Sequence, residues 1–143
     1  MVTAWRFASN PGFTNSNALW PVRSNRVKRN PRRAIVRYVA AKHGLEGLSK
    51  VVALEGGPKG VTSNCINPAY VRTPLAEKQI AAQAKSRGIP ESEVVDKVML
   101  AESAVKRLVE AEEVAELAVY LCSPEASLIN GASLCIDGGW TAH

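Results

Sequence analysis

Two histidines and three cysteines are all that this 143-residue chain offers to a soft metal ion. His43 and His143 stand far apart, and Cys65, Cys122 and Cys135 follow no ligand spacing, so no metal site is expected. The odd cysteine count and the apolar neighbours of each thiol point to buried structural cysteines in a reducing, cytoplasmic setting. Long apolar runs are also missing. The longest, Leu117 to Cys122, is far too short to cross a bilayer. The opening MVTAWRFASNPGFTNSN lacks the basic flank and apolar core of a secretory signal. Neither a membrane nor an export role is expected.

Acidic residues are absent from residues 1–37, which carry eight Lys or Arg and a charge of +8. Residues 38–143 carry ten basic and thirteen acidic residues, a charge of −3. The net +5 therefore averages two unlike pieces. A basic arm for nucleic acid is one reading of the first piece. Aromatic side chains do not alternate with its bases as they would on a stacking surface. A disordered or non-native leader is the favoured reading, and nucleic acid is the least favoured partner. Glycine is nearly absent there too, with Gly12 standing alone before Gly44. That stretch holds no glycine-rich loop to cradle a pyrophosphate. The GGPKG cluster at 56–60 lies between a helix and a strand and opens no helix.

What is present suits one globular domain, with 46% hydrophobic and 22% charged residues. From Tyr38 onward, Leu45, Leu48 and Val52 recur at helical spacing until Gly56-Gly57-Pro58. Val61 to Pro68 reads as a short buried strand. Thr73 is placed to cap a helix that has Pro74 at its first position and stops at Gly88. PESEVVDKVML opens another helix. In EAEEVAELAVYLCSP, Val114, Leu117, Ala118 and Leu121 form the stripe of an amphipathic helix closed near Pro124. ASLCIDGG is a last strand running into a glycine turn. This alternation predicts an α/β fold with a parallel sheet and helices on its faces.

The chemistry resides in YVAAKHG, Tyr38 to Gly44. Positions i and i+4 share one face of a helix, so Tyr38 and Lys42 can point into one site. A free phenol is a poor base at neutral pH. A nearby ammonium favours the phenolate, which can take a proton from a hydroxyl and whose phenol can return it to a ketone. Alone, a Tyr-x-x-x-Lys match is a weak motif.

YVAAKHGLEGLSKVVALE, NCINPAYVRTPL and DGGWTAH, in that order, resemble the classical short-chain dehydrogenase/reductase family. Within it the chain is most similar to the bacterial D-3-hydroxybutyrate dehydrogenases. The resemblance covers residues 38–143 and implies the C-terminal part of a doubly wound, parallel-sheet Rossmann fold with its N-terminal half absent. Residues 1–37 would be a separate leader. It further implies NAD as cofactor, a small hydroxy or keto acid as substrate, and a homo-oligomer or an assembly with a relative. The implied reaction is oxidation of 3-hydroxybutyrate to acetoacetate. By resemblance, Tyr38 is the catalytic base, and Lys42 activates it and holds the nicotinamide ribose. Pro68, Ala69, Val71 and Thr73 match the segment that meets the nicotinamide. There the Val71 backbone and the Thr73 hydroxyl would bond the carboxamide. Ala69 stands where the family usually has glycine, at a cost of about 1 kcal/mol if the position needs a positive φ or a close approach of the cofactor.

The helices between Pro74 and Val105 would form a mobile lid over the substrate. Gln79 matches a residue that binds the substrate carboxylate, with a solvated helix glutamine as the rival reading. Trp140 matches an aromatic that closes the pocket, with a subunit contact as its rival. Tyr70 resembles the aromatic beside the substrate's methyl end. The family's catalytic serine falls on Asn25, beside Ser24, and its carboxylate-binding histidine and lysine fall on Val27 and Ile35. Such a break at Tyr38 is what a frameshift or a misplaced start would leave. The competing reading is a catalytically inert remnant, or a fragment that docks on a partner without binding cofactor. The strands at 61–67 and 133–136 would then keep an unpaired edge that the leader is not expected to cover.

Overall fold

The computed structural model describes residues 2–6 and 31–142. Its sheet is assembled from distant stretches: β1 (Val2–Arg6), β2 (Thr62–Pro68) and β3 (Ser133–Ile136), in that spatial order. β2 and β3 run parallel, with Cys65 level with Ser133 and Pro68 level with Ile136. The crossover between them passes through α2 (Pro74–Arg87), α3 (Glu91–Val94) and α4 (Ala111–Leu121), as a parallel pair requires.

β1 pairs antiparallel with β2, with Val2 level with Ile66 and Arg6 level with Thr62. This corrects the expectation that the first 37 residues leave the sheet edge bare. One edge of β2 is closed by β1 and the other by β3. From Thr62 to Ile66 every residue of β2 is buried, the mark of a central strand.

α1 (Pro31–Gly56) also begins inside the stretch read as a leader, so Arg32, Arg33 and Arg37 are helical. Ile35 lies exposed on it. Ser24, Asn25, Val27 and the rest of the basic cluster before Pro31 lie outside the described residues. The buried side of α1 is made by Ser49 and Ala53, while Leu48 is half exposed, so the expected Leu45–Leu48–Val52 stripe is rotated. Small side chains let the helix approach β2, where the Ser49 and Ser63 hydroxyls bond at 2.8 Å. At Gly56 any Cβ would sit 2.9 Å from the Val61 Cβ, so the tight exit from the helix requires glycine.

Asparagines bind the segment before β3 to this layer. Asn130 Nδ2 donates to the Ala53 carbonyl and its Oδ1 accepts from the Ser63 amide, both at 2.9 Å. Asn64 donates to the Ile129 carbonyl and accepts from the Ala132 amide. Each side-chain amide, the buried Asn64 and the exposed Asn130, is thereby satisfied at both ends.

α2 has its expected ends: Thr73 Oγ1 accepts from the Ala76 amide, and Gly88 closes the helix at φ 67°. α3 runs into one π turn, Val95–Met99, in place of a longer regular helix. Two apolar clusters result. Ile80, Val94, Met99, Leu100 and Leu108 form the one under α2, and Ile66, Leu121 and Ala126 form the one beneath the sheet. Val114, Leu117 and Ala118 pack on the second, as the stripe predicted. Cys65 is buried, but Cys122 and Cys135 are exposed, which corrects the reading of three buried thiols. Cys122 is the C-cap of α4, just past the buried Leu121, and Cys135 falls on an exposed position of β3.

Glu113 holds the start of α4. Its carboxylate takes both ends of the Arg107 guanidinium at 2.7 Å and accepts the Glu110 amide at 2.9 Å. Arg107 first, and then the Glu110 amide, lower its pKa to about 2. A depressed carboxylate contributes stability above its unfolded value and loses it as pH falls through the folded one. The melting temperature should therefore drop between pH 4.5 and about 2, and this portion of the drop should vanish in Glu113→Gln. An identical pH profile in the two proteins would assign the acid sensitivity elsewhere.

Candidate active site

β2 and β3 end side by side, at Pro68 and Ile136. The carboxyl ends of parallel strands are where doubly wound sheets seat their ligands. A cavity of about 380 Å³ opens there. One wall is the end of β2 and its exit: Asn67, Pro68, Ala69 and Tyr70. Another is Met99 and Ser103, from the π turn and the segment after it. Cys135, Asp137, Trp140 and Thr141 close it from β3 and the C-terminal turn. Four residues expected at the site, Pro68, Ala69, Tyr70 and Trp140, thus share one cavity.

The loop that follows is held open in a specific way. Val71 lies opposite Val109 in a parallel bridge, in which Val109 N donates to the Tyr70 carbonyl and Arg72 N donates to the Val109 carbonyl. Those bonds use the peptide groups that flank Val71. Its own N–H and C=O have no backbone partner among the described residues. Arg72 secures the loop by donating to Glu110 at 2.9 Å and to Glu77 at 3.2 Å. Thr73 Oγ1 accepts from Ala76, which leaves the hydroxyl proton available to donate. The Ala69 backbone does not call for glycine, because no non-glycine residue among those described has a positive φ. Backbone strain is therefore not incurred there.

Tyr38 and Lys42 lie one turn apart on α1, with the Lys42 Nζ 5.6 Å from the centre of the Tyr38 ring. Tyr38 is 62% exposed, and neither residue lines the cavity. Gln79 is exposed on α2 and is likewise off the cavity wall. The structure thus gathers the β2 exit and Trp140 in one cavity and leaves the Tyr–Lys pair and Gln79 off its wall.

Sequence reasoning missed Asn67, Met99, Ser103, Asp137 and Thr141. Of these, Asp137 had a local signal, since DGGWT places two amides and a hydroxyl within reach of one carboxylate. Asp137 accepts from Thr141 Oγ1 at 2.6 Å, from Gly139 N at 3.0 Å and from Thr141 N at 3.1 Å. These bonds, the Thr141 hydroxyl foremost, hold its carboxyl below the usual range. The same turn grips the segment after the π turn, because the Gly138 carbonyl accepts from Ala104 N at 2.8 Å and Val105 N at 2.9 Å.

The family model described as Enoyl-(Acyl carrier protein) reductase matches residues 23–141. The D-beta-hydroxybutyrate dehydrogenase of Rhizobium meliloti (strain 1021) is 53% identical over 106 residues, which are 74% of this chain and 41% of that protein. A short chain dehydrogenase family protein from Francisella tularensis subsp. tularensis SCHU S4 superposes with a TM-score of 0.68 at 29% identity, covering 74% of this chain and 43% of its own. L-sorbose reductase from Gluconobacter frateurii, complexed with NADPH and L-sorbose, gives a TM-score of 0.67 at 30% identity, covering 74% and 40%. The chain spans about two fifths of the length of these relatives. Its parallel strands and their helices are the C-terminal part of a doubly wound Rossmann fold.

Proposed function

This chain belongs to the short-chain dehydrogenase/reductase family, and from that premise we propose that it carries the proton-transfer and substrate part of an enzyme oxidising 3-hydroxybutyrate to acetoacetate. The observation that carries the reading is the Tyr38–Lys42 pair on one face of α1, with ammonium and ring 5.6 Å apart. Tyr38 takes the proton of the substrate hydroxyl as the carbonyl forms, while the hydrogen on the same carbon leaves with its electron pair. Lys42 sets a positive charge one turn away, where the deprotonated phenol needs it.

Bound NAD supplies the acceptor for that hydride. The residues present suit the nicotinamide end of such a cofactor. The Val71 N–H and C=O, unused by the backbone, and the spare Thr73 proton match the two sides of a carboxamide. Lys42 would hold the ribose, while Pro68 and Ala69 would back the ring. NAD in preference to NADP is what the sequence resemblance implies, while the solved relatives named with a cofactor hold NADP or NADPH. Tyr70 and Trp140 offer apolar surface to the methyl end of the substrate, and Gln79 offers its amide to the carboxylate. Exposed Val36 and Leu54 on α1 provide apolar surface for pairing with a second copy or a relative.

The test is a chimera that places the N-terminal part of the Rhizobium meliloti enzyme ahead of Tyr38, assayed for reduction of NAD by 3-hydroxybutyrate. Gln79→Ala should raise the KM for the hydroxy acid roughly 10- to 100-fold, the loss of one charge-assisted hydrogen bond, and leave a neutral alcohol nearly unaffected. A folded chimera that reduces neither NAD nor NADP would overturn the proposal.

A further inference from the structure

We propose that Glu46 is a positioning residue for the Tyr38–Lys42 pair, the tether that sets their part of α1 against β2 and β3. The proposal rests on the reading of Tyr38 as the proton acceptor. Tyr38, Lys42 and Glu46 succeed one another at intervals of four, and Ser49 and Ala53 continue the same stripe. Along it burial grades from exposed Tyr38, through half-buried Lys42 and Glu46, to buried Ser49 and Ala53. The stripe thus parts from the sheet toward the residues that carry the chemistry.

The Glu46 carboxylate closes a triangle of side chains from three elements. Its Oε1 accepts from Asn67 Nδ2 at 3.3 Å and from Ser133 Oγ at 3.2 Å. Asn67 Nδ2 also donates to Ser133 Oγ at 2.6 Å. Both hydrogens of the Asn67 amide and the one of the Ser133 hydroxyl are thereby used. Asn67 stands near the end of β2 and Ser133 at the start of β3, so the helix is referenced to both parallel strands. Asn67 also lines the cavity, so one side chain joins the cavity wall to the helix that carries the pair.

Further along α1, Ser49 through Ser63 and Ala53 through Asn130 bond the helix to the same layer. Of these three tethers Glu46 stands nearest to the pair. Packing adds little there, because Ile35, Val36, Tyr38 and Val39 are all exposed. Tyr38 lies eight residues beyond Glu46, about 12 Å along the axis, so a tilt of about 5° displaces it by about 1 Å. A misplacement of that size costs about 10²-fold in rate. The side-chain oxygen of glutamine can hold the same two donors, whereas alanine can hold neither.

The first test is amide hydrogen exchange of the full chain, without cofactor or substrate. Glu46→Ala should speed exchange from Tyr38 to Leu45 roughly tenfold. It should leave the amides of Cys65 and Ile66 in β2 unchanged, which verifies that the variant folds. Glu46→Gln should stay within about threefold of the parent. The second test is turnover of the chimera. There Glu46→Ala should lower kcat roughly ten- to hundredfold with little change in KM, and Glu46→Gln should restore it. A residue that merely stabilised the fold would lower the melting temperature and leave kcat alone. Unchanged exchange in Glu46→Ala, unchanged kcat in an active chimera, or Glu46→Gln as impaired as Glu46→Ala would overturn the proposal. A chimera inactive from the outset counts against the oxidoreductase reading alone, because the exchange measurement decides the tether without it.

Discussion

Tyr38→Phe in the cofactor-complete chimera is expected to lower turnover roughly 10²- to 10⁴-fold while the Kd for NADH stays nearly unchanged. The substitution removes one oxygen and keeps the ring over which the Lys42 ammonium stands. Packing on α1 is barely disturbed, because Tyr38 is 62% exposed. What is lost is the group proposed to receive the hydroxyl proton. The loss should fall on kcat more than on KM, since the phenol works on the transition state. Stopped-flow absorbance of NADH formation and a separate fluorescence titration of NADH read the two effects independently. Turnover of Tyr38→Phe equal to that of the parent chimera would remove the role assigned to Tyr38.

Ile66→Ala should cost about 2–5 kcal/mol of folding stability, the range for emptying a packed aliphatic site. Ile66 is 0% exposed, sits mid-way along β2 and packs with Leu121 and Ala126. β1 lies on one side of it and β3 on the other, so the sheet cannot close around the gap. Domains of this size are stable by only about 5–15 kcal/mol, so the variant should unfold at a much lower urea concentration. Leu128→Ala is the control. That side chain is 96% exposed, and its removal should stay within about 0.5 kcal/mol. A loss at Ile66 as small as that of the control would mean that β2 is not the centre of a packed sheet.

How much could be read in advance depended on how local each signal was. The ends of α2 were legible because Thr73, Pro74 and Gly88 act on their own helix. The stripe of α4 was legible because burial there follows a regular period. β1 was not, since Val2–Arg6 becomes a strand only by meeting Thr62–Ile66, some sixty positions away. The rotation of α1 was hidden for a related reason. The sequence marks Leu48 as core, but the approach of β2 favours the smaller Ser49 and Ala53. At the site, the β2 exit and Trp140 were legible through contiguous motifs. Ser103 and Asn67 carried no pattern, because their shared cavity comes from segments that only the fold brings together.

The grip between the glycine turn and the segment after the π turn has a further consequence. Gly138 sits at φ 62°, and a Cβ there would come within 3.1 Å of the Val105 carbonyl oxygen. At Gly139 a Cβ would lie 3.3 Å from that of Ala104. Trp140 and Ser103, nearly forty positions apart in the chain, are therefore mounted on one plate. Neither wall can be reshaped without tilting the other. Selection acting on the cavity's outline thus meets these two segments as a single heritable unit, in which the effect of a change in one depends on the residue standing in the other.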